Sequence, residues 1–409
     1  MSRSLVIYLH VHQPYRIKPY SVFSVAHDHD YFNLRDDSDM NNEKIFHRVA
    51  EKSYRPMNQL LSKLLAHHPD FKISLSITGD FIDQAEAWAP DVLDDFRQLL
   101  ATGRVELLGE TYYHSLAFFY SREEFEAQVA LHRSKVKELF GVTPTAFRNT
   151  ELAYNDELAA WADKTGYKAI IAEGWDQVLE WRSPNYVYQP HGTEHIRLLL
   201  KNYRLSDDIA FRFSNQGWAQ WPLTADKFLQ WAQESSADSP LVNLFMDYET
   251  FGEHQWADTG IFEFFEDFIN KWSEQSDTTF STVTEAAVAH EPTGELSMPR
   301  IVTWADNERD LSAWVGNDMQ REIARYLYAL EHDVIRSGDK DLIRDWRYLQ
   351  SSDLLYYLST KWLDDGDVHT YFSPYGSPYD AFLYYMNAIR DVRWRVMRHH
   401  DLGGTSTDG

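Results

Sequence analysis

Two stretches of this chain set carboxylates where strand-like runs end. In 245-FMDYETFGEH-254, Asp247, Glu249 and Glu253 follow the apolar run 240-PLVNLFMDYE-249. In 147-FRNTELAYND-156, Glu151 sits among Arg148, Asn149 and Tyr154, groups able to hold a carboxylate ionised through charge and hydrogen bonds. A charge at the mouth of a buried strand is expensive, so two of them invite a chemical reason. Carboxylates about 5–5.5 Å apart can split a glycosidic bond in two steps, one attacking while the other gives and then takes a proton. An oriented, ionised Glu151 suits the attack. Asp247 is predicted to share a strand face with Glu249 and lies near Tyr248 and Phe251. Apolar surroundings and a neighbouring carboxylate suit a proton donor. Taken singly, each stretch also reads as structure. The Glu151 stretch could cap a helix, although Asn155 and Asp156 are better placed for that, and the Asp247 stretch could be a solvated acidic loop.

Two further clusters stand at strand ends. In 10-HVHQPYR-16, His10 and His12 alternate and so point the same way. That permits metal ligation, hydrogen bonding of a polar ligand by His12 and Gln13, or a satisfied core pair, with the metal ranked lowest. In 108-LGETYYH-114, Glu110 precedes Tyr112, Tyr113 and His114.

Something must position these residues. Apolar runs recur at 5–14, 72–81, 104–114, 145–154, 168–175, 241–252 and 280–288, and a short strand pair is predicted within 176–213, with 195-HIRLLL-200 as one member. Amphipathic helices are predicted over 56–68, 90–103, 122–141 and 155–166, several with Pro at the start or Gly at the end. Strand and helix in alternation predict a parallel α/β barrel of nearer seven strands than eight, with its functional residues at the C-terminal strand ends. From about residue 300 the pattern turns helical, predicting a bundle of three helices over 312–338, 339–360 and 378–400. The expected division is a barrel over 1–299, a bundle over 300–401 and a disordered tail over 402–409.

The totals exclude several classes of function. Of 409 residues, 63 are Asp or Glu against 39 Lys or Arg, a net charge of −24 that disfavours nucleic acid and anionic lipid as partners. There is no cysteine, so disulfides, thiolate metal sites and cysteine nucleophiles are absent. The 14 Trp, 24 Tyr and 23 Phe exceed what packing usually asks for and suit stacking on sugar rings. The start, 1-MSRSLVIYLHVHQP-14, is too short in its apolar run for a secretory signal, and the expectation is a cytoplasmic protein with no membrane partner.

Five motifs in order, HQP at 12–14, GETYYH at 109–114, RNTELAYN at 148–155, DYETFGEH at 247–254 and WADNERDLSAWVGN at 304–317, resemble those of glycoside hydrolase family 57. This is the family of α-amylases, 4-α-glucanotransferases and branching enzymes. The resemblance implies an incomplete (β/α)7 barrel followed by a C-terminal helical bundle, an α-glucan or maltooligosaccharide substrate, and no cofactor or catalytic metal. It implies Glu151 as nucleophile and Asp247 as general acid/base. His12, Glu110 and Glu249 match substrate-contacting or supporting positions, with His10 close by. Asp310 and Trp314 would reach over from the bundle to the sugar cleft. The branching enzymes are typically longer, with an additional C-terminal domain and a long loop; neither is read in this sequence, and the expectation is a member like the compact α-amylases. Two other classes stay open at this stage: a metal-dependent polysaccharide deacetylase or mannosidase-like enzyme, and a non-catalytic glucan-binding protein.

Overall fold

The computed structural model describes residues 2–34, 38, 40–361 and 373–403. Packing groups the chain into two compact units. One comprises Met1–Gln13, Phe46–Thr111 and Val129–Trp304; the other comprises Pro14–Ile45, Tyr112–Gln128 and Ala305–Gly409. The second unit therefore draws two early stretches to the helices that follow Trp304.

The first unit is an incomplete barrel. Strand β1 (Arg3–Val11) pairs in parallel with β2 (Ile73–Ile77) and β8 (Leu241–Asp247), and β2 pairs with β3 (Val105–Leu107). β4 (Ala146–Phe147) pairs with β5 (Ala169–Glu173), and β5 with β7 (Arg197–Lys201). Two narrow seams join the halves. At β3–β4, Gly109 and Phe147 form a parallel bridge. At β7–β8, the backbone N–H of Asn202 donates to the carbonyl of Asn243 at 3.0 Å. The result is seven parallel strands in the order β1-β2-β3-β4-β5-β7-β8. Outside it, β6 (Val187–Pro190) runs antiparallel to β7, β9 (Thr278–Phe280) pairs with the start of β1, and β10 (Glu295–Leu296) pairs with β6.

Seven strands were expected, but one of them is different. The run 280–288 is strand only through Phe280 and then becomes the helix Val283–Ala289. Thr282 and Glu285 cap each other's backbone N–H groups, a T-x-x-E box that overrides the β-branched residues between them. The seventh barrel strand is 197-RLLLK-201, which pairs with β6 as well. The four predicted helices form, at Arg55–His67, Pro90–Ala101, Arg122–Phe140 and Asp156–Thr165.

Side chains that alternate along a strand fill the lumen in layers. Val6, Tyr8, Ala169, Ile171, Leu199, Leu241 and Phe245 form one buried cluster with Val283, Ala286 and Ala287 of the last helix. That helix lies at the N-terminal strand ends, where its Val283 N–H donates to Ser74 Oγ at 2.9 Å. Two residues further along each strand the lumen becomes polar: His10, Asp247, Glu173 and Lys201.

In the second unit, the helices Ser312–Val315, Asp318–Ala329, Glu331–Ser337, Lys340–Tyr348, Ser352–Tyr356 and Pro378–Gly403 surround a core including Trp314, Trp346 and Tyr385. The three long helices expected here are thus broken into more pieces. At the expected tail, 402–403 continue the last helix and 404–409 lie outside the described residues. Among the described residues, no helix is long and apolar enough to cross a membrane.

The β7–β8 seam depends on a polar side chain. Buried Asn243 donates to the carbonyls of Leu200 and Pro184, each at 3.0 Å, where no ladder forms. Asn243→Ala leaves both carbonyls without that donor and should cost about 1–3 kcal/mol of stability by urea denaturation, whereas the exposed control Lys164→Ala should change it little.

Candidate active site

Glu151 lies in a turn just past β4, and its backbone is unusual. Glu151 and Leu152 both have positive φ, 58° and 50°, a region that costs a residue with a Cβ roughly 1–2 kcal/mol. The turn is tied down on all sides. Asn149 Nδ2 donates to the carbonyl of Ala153 at 2.9 Å, and the hydroxyls of Thr111 and Thr150 meet at 2.9 Å. Tyr154 and Val302 exchange backbone hydrogen bonds at 2.9 Å, and Trp304 N–H donates to the Glu151 carbonyl at 3.3 Å. The Trp304 indole Nε1–H then donates to Glu151 Oε2 at 2.8 Å. Asn155 caps the following helix, as expected, through Leu158 N–H. That leaves the Glu151 carboxylate for other work.

Asp247 ends β8 directly opposite His10 on β1. It is half-buried. The alternation expected to put Glu249 on the same face stops there, because Tyr248–Thr250 forms a tight helical turn. Glu249 is instead buried, accepting hydrogen bonds from Tyr54 Oη at 2.8 Å and from His12 N–H at 3.1 Å. Burial first, and the charge of Asp247 second, push its carboxyl well above the usual range. Glu249 also accepts backbone hydrogen bonds from Glu253 and His254 at 3.2 and 3.0 Å. Glu253 pairs with Lys52 at 3.5 Å and Arg48 at 3.8 Å. Gly252 makes this turn possible: its φ is +104° and a Cβ would fall 1.8 Å from the Lys52 carbonyl oxygen.

His10 and His12 do point the same way, their rings stacked 5.7 Å apart. Each Nδ1 meets a hydroxyl, Ser76 at 2.9 Å for His10 and Thr78 at 2.8 Å for His12, so Nε2 is the atom each would offer a ligand or ion. Gln13 is buried, its Nε2 donating to Tyr54 Oη at 3.3 Å, which is a supporting place. Glu110 is fully buried beside fully buried Arg148, whose Nη1 is 3.5 Å from Glu110 Oε2, with His10 Nδ1 at 3.9 Å. Burial outweighs the Arg148 guanidinium and raises the Glu110 carboxyl to about 8.

Asp310 and Trp314 of the fifth motif belong to the helical unit, whereas Trp304, which opens the motif, ends the barrel unit. Exposed Asp310 accepts from Ser312 N–H at 2.8 Å and so holds the start of a short helix. Trp314, expected at the sugar cleft, is 1% exposed in that unit's core, with its ring 6.1 Å from Tyr356. A ring enclosed in this way offers no face to a sugar. Its burial follows from position: Ala313 and Trp314 lie on the inner side of the helix Ser312–Val315.

Two lumen residues, Lys201 and Glu173, were not singled out from the sequence, and Trp304 entered only as the first residue of the fifth motif. Lys201 Nζ lies 2.8 Å from Asp207 and 3.7 Å from fully buried Glu173. It also lies 5.5 Å from the Trp304 ring centroid, and the Arg148 guanidinium carbon lies 5.3 Å from the same centroid. Glu173 ends the run 168-KAIIAEGW-175, the same acidic strand-end signal that marked Glu151 and Asp247.

The chain matches the model of glycosyl hydrolase family 57 over residues 6–299. It is 43% identical over 367 residues to a Methanocaldococcus jannaschii protein described as "Putative alpha-amylase", covering 87% of this chain and 77% of that one. A 4-alpha-glucanotransferase of Thermococcus litoralis is 21% identical over 150 residues, 37% of this chain and 22% of the other. Among solved structures, a GH57 branching enzyme of Thermococcus kodakaraensis superposes with TM-score 0.67 at 14% identity, covering 98% of this chain and 90% of that one. An alpha-amylase of Thermotoga maritima does so with TM-score 0.66 at 14% identity, covering 100% and 95%.

The state of Glu110 is measurable. A carboxyl raised from 4.5 to about 8 on folding binds more protons folded than unfolded across that interval. Its contribution to stability therefore falls as pH rises from 4.5 to 8 and is level above. Relative to Glu110→Gln, which cannot ionise, the wild type should lose up to about 1.4 kcal/mol per pH unit across this window, followed by urea denaturation at a series of pH values. A constant difference between the two proteins would show that Glu110 is ionised throughout.

Proposed function

The chain belongs to glycosyl hydrolase family 57, and from that premise we propose that it is a retaining enzyme of the α-amylase type, hydrolysing α-1,4-glucans such as starch, glycogen or maltodextrin. The observation that carries this reading is the Glu151 carboxylate. It stands on a strained turn past a barrel strand, with one oxygen held by an indole N–H. A nucleophile needs such orientation, and a donor to its charged form keeps it ionised.

Asp247 gives a proton to the glycosidic oxygen as Glu151 attacks the anomeric carbon, and a glycosyl ester forms. Asp247 then takes a proton from water, whose oxygen displaces Glu151. Glu249, whose carboxyl burial and the charge of Asp247 push upward, is the neighbouring acid. His10, His12 and Glu110 are read as polar groups that hold the sugar or its immediate partners. Asp310 keeps only a supporting role in this reading, and Trp314 none at the sugar.

Solved structures with transferase and branching names share the fold, so the acceptor in the second step is the quantity to measure. Incubated with maltoheptaose, the wild type should give shorter products only. A ladder both shorter and longer would make it a 4-α-glucanotransferase, and new α-1,6 linkages on amylose a branching enzyme. Glu151→Gln should lower turnover by about 10⁴-fold or more and Asp247→Asn by about 10²–10⁴-fold. Near-wild-type turnover in either variant would refute the assignment of that residue.

A further inference from the structure

We propose that Trp304 is a positioning residue for the Glu151 carboxylate, acting chiefly when that carboxylate leaves the glycosyl ester, with Arg148 and Lys201 working through its ring. The inference rests on the reading of Glu151 as nucleophile and goes beyond it, since that reading requires no particular donor.

Trp304 is fixed over Glu151 twice. Its backbone N–H donates to the Glu151 carbonyl at 3.3 Å, beside the Tyr154–Val302 bridge, and its indole N–H donates to Oε2 at 2.8 Å. Two cations stand about equally far from its ring centroid, the Arg148 guanidinium at 5.3 Å and the Lys201 ammonium at 5.5 Å. Each cation is itself held, Lys201 by Asp207 and Glu173 and Arg148 by Glu110. A cation against an aromatic face draws on the electron density of the ring. In a low-dielectric site that makes the indole N–H a stronger donor, as linked polar groups polarise one another.

The two displacements use this donor differently. In the first, Oε1 forms a bond to the anomeric carbon while the bond to the leaving oxygen breaks and that oxygen takes the proton of Asp247. The charge on Glu151 disappears into the ester, so the hydrogen bond from Trp304 weakens as the reaction proceeds. In the second, Asp247 removes a proton from water, the water oxygen attacks the anomeric carbon, and the electron pair of the C–Oε1 bond returns to Glu151. Charge now grows on the carboxylate, and the N–H stabilises it where it develops. The donor therefore favours the second step over the first.

Trp304→Phe keeps an aromatic ring and removes the N–H. With α-maltosyl fluoride, whose bond to fluorine is the one broken in the first displacement, kcat should fall roughly 10²-fold. KM should fall with it, kcat/KM should stay within a few-fold of wild type, and a burst of fluoride should approach one per active site. Parallel loss of kcat and kcat/KM without a burst would mean that Trp304 only supports the turn, and would overturn the proposal. A second measurement does not depend on that variant being active. The Trp304 indole N–H resonance, identified by its loss in the Trp304→Phe spectrum, should move upfield in Glu151→Gln, where the acceptor has lost its charge. An unmoved resonance would also overturn the proposal. The two levels fail separately: turnover by Glu151→Gln removes the nucleophile, whereas an inactive Glu151→Gln with wild-type kinetics in Trp304→Phe removes only the role of Trp304.

Discussion

The hydrogen bond between the Trp304 indole and Glu151 is the constraint around which the barrel unit is arranged. Glu151 and Leu152 occupy a backbone region that side chains disfavour, and such a turn persists only when its surroundings over-determine it. Those surroundings come from far along the chain. Thr111 arrives from the segment that follows β3, and Val302 to Trp304 return only after every barrel strand is complete. The site can thus be finished only when the unit is folded, which ties the orientation of one carboxylate to the stability of the whole barrel.

A second consequence follows from parallel strands. All seven point their C-terminal ends the same way, so one shift along the chain carries every lumen face from apolar to polar at the same level. Tyr8 and Phe245 meet edge to face at 5.7 Å. Two residues later on the same strands stand His10 and Asp247. The apolar layer is what makes the charges above it costly, and the cost is visible in the raised carboxyls of Glu110 and Glu249. A carboxyl raised in this way keeps its proton to a higher pH, which lessens the cost of burying it.

The barrel, its strand number and the two acidic strand ends were legible in the sequence because each rests on local signals: apolar runs, helix punctuation and an abrupt change to charge. What was not legible had non-local causes. The helix Val283–Ala289 read as strand because Val283 and Thr284 are β-branched, while its capping box was overlooked. Glu249 is expected on the same face as Asp247 because period-two alternation is carried past the end of β8, where Tyr248–Thr250 turns helical instead. Trp304, Lys201 and Glu173 come from three separated segments, and nothing in the sequence brings them together. Trp314 was expected at the sugar by resemblance, and only the helical core around it shows that its ring is enclosed.

The measurement that bears most directly on Glu151 is to trap the glycosyl ester that the proposed mechanism requires. A 5-fluoro-α-glycosyl fluoride slows both displacements through its electron-withdrawing fluorine, while its reactive leaving group still permits the first. Incubation followed by proteolysis and mass spectrometry should find one glycosyl group per chain, on the peptide containing 148-RNTELAYN-155 and on Glu151 within it. A label on another carboxylate, or an unlabelled enzyme that turns the reagent over with inversion at the anomeric carbon, would contradict the assignment.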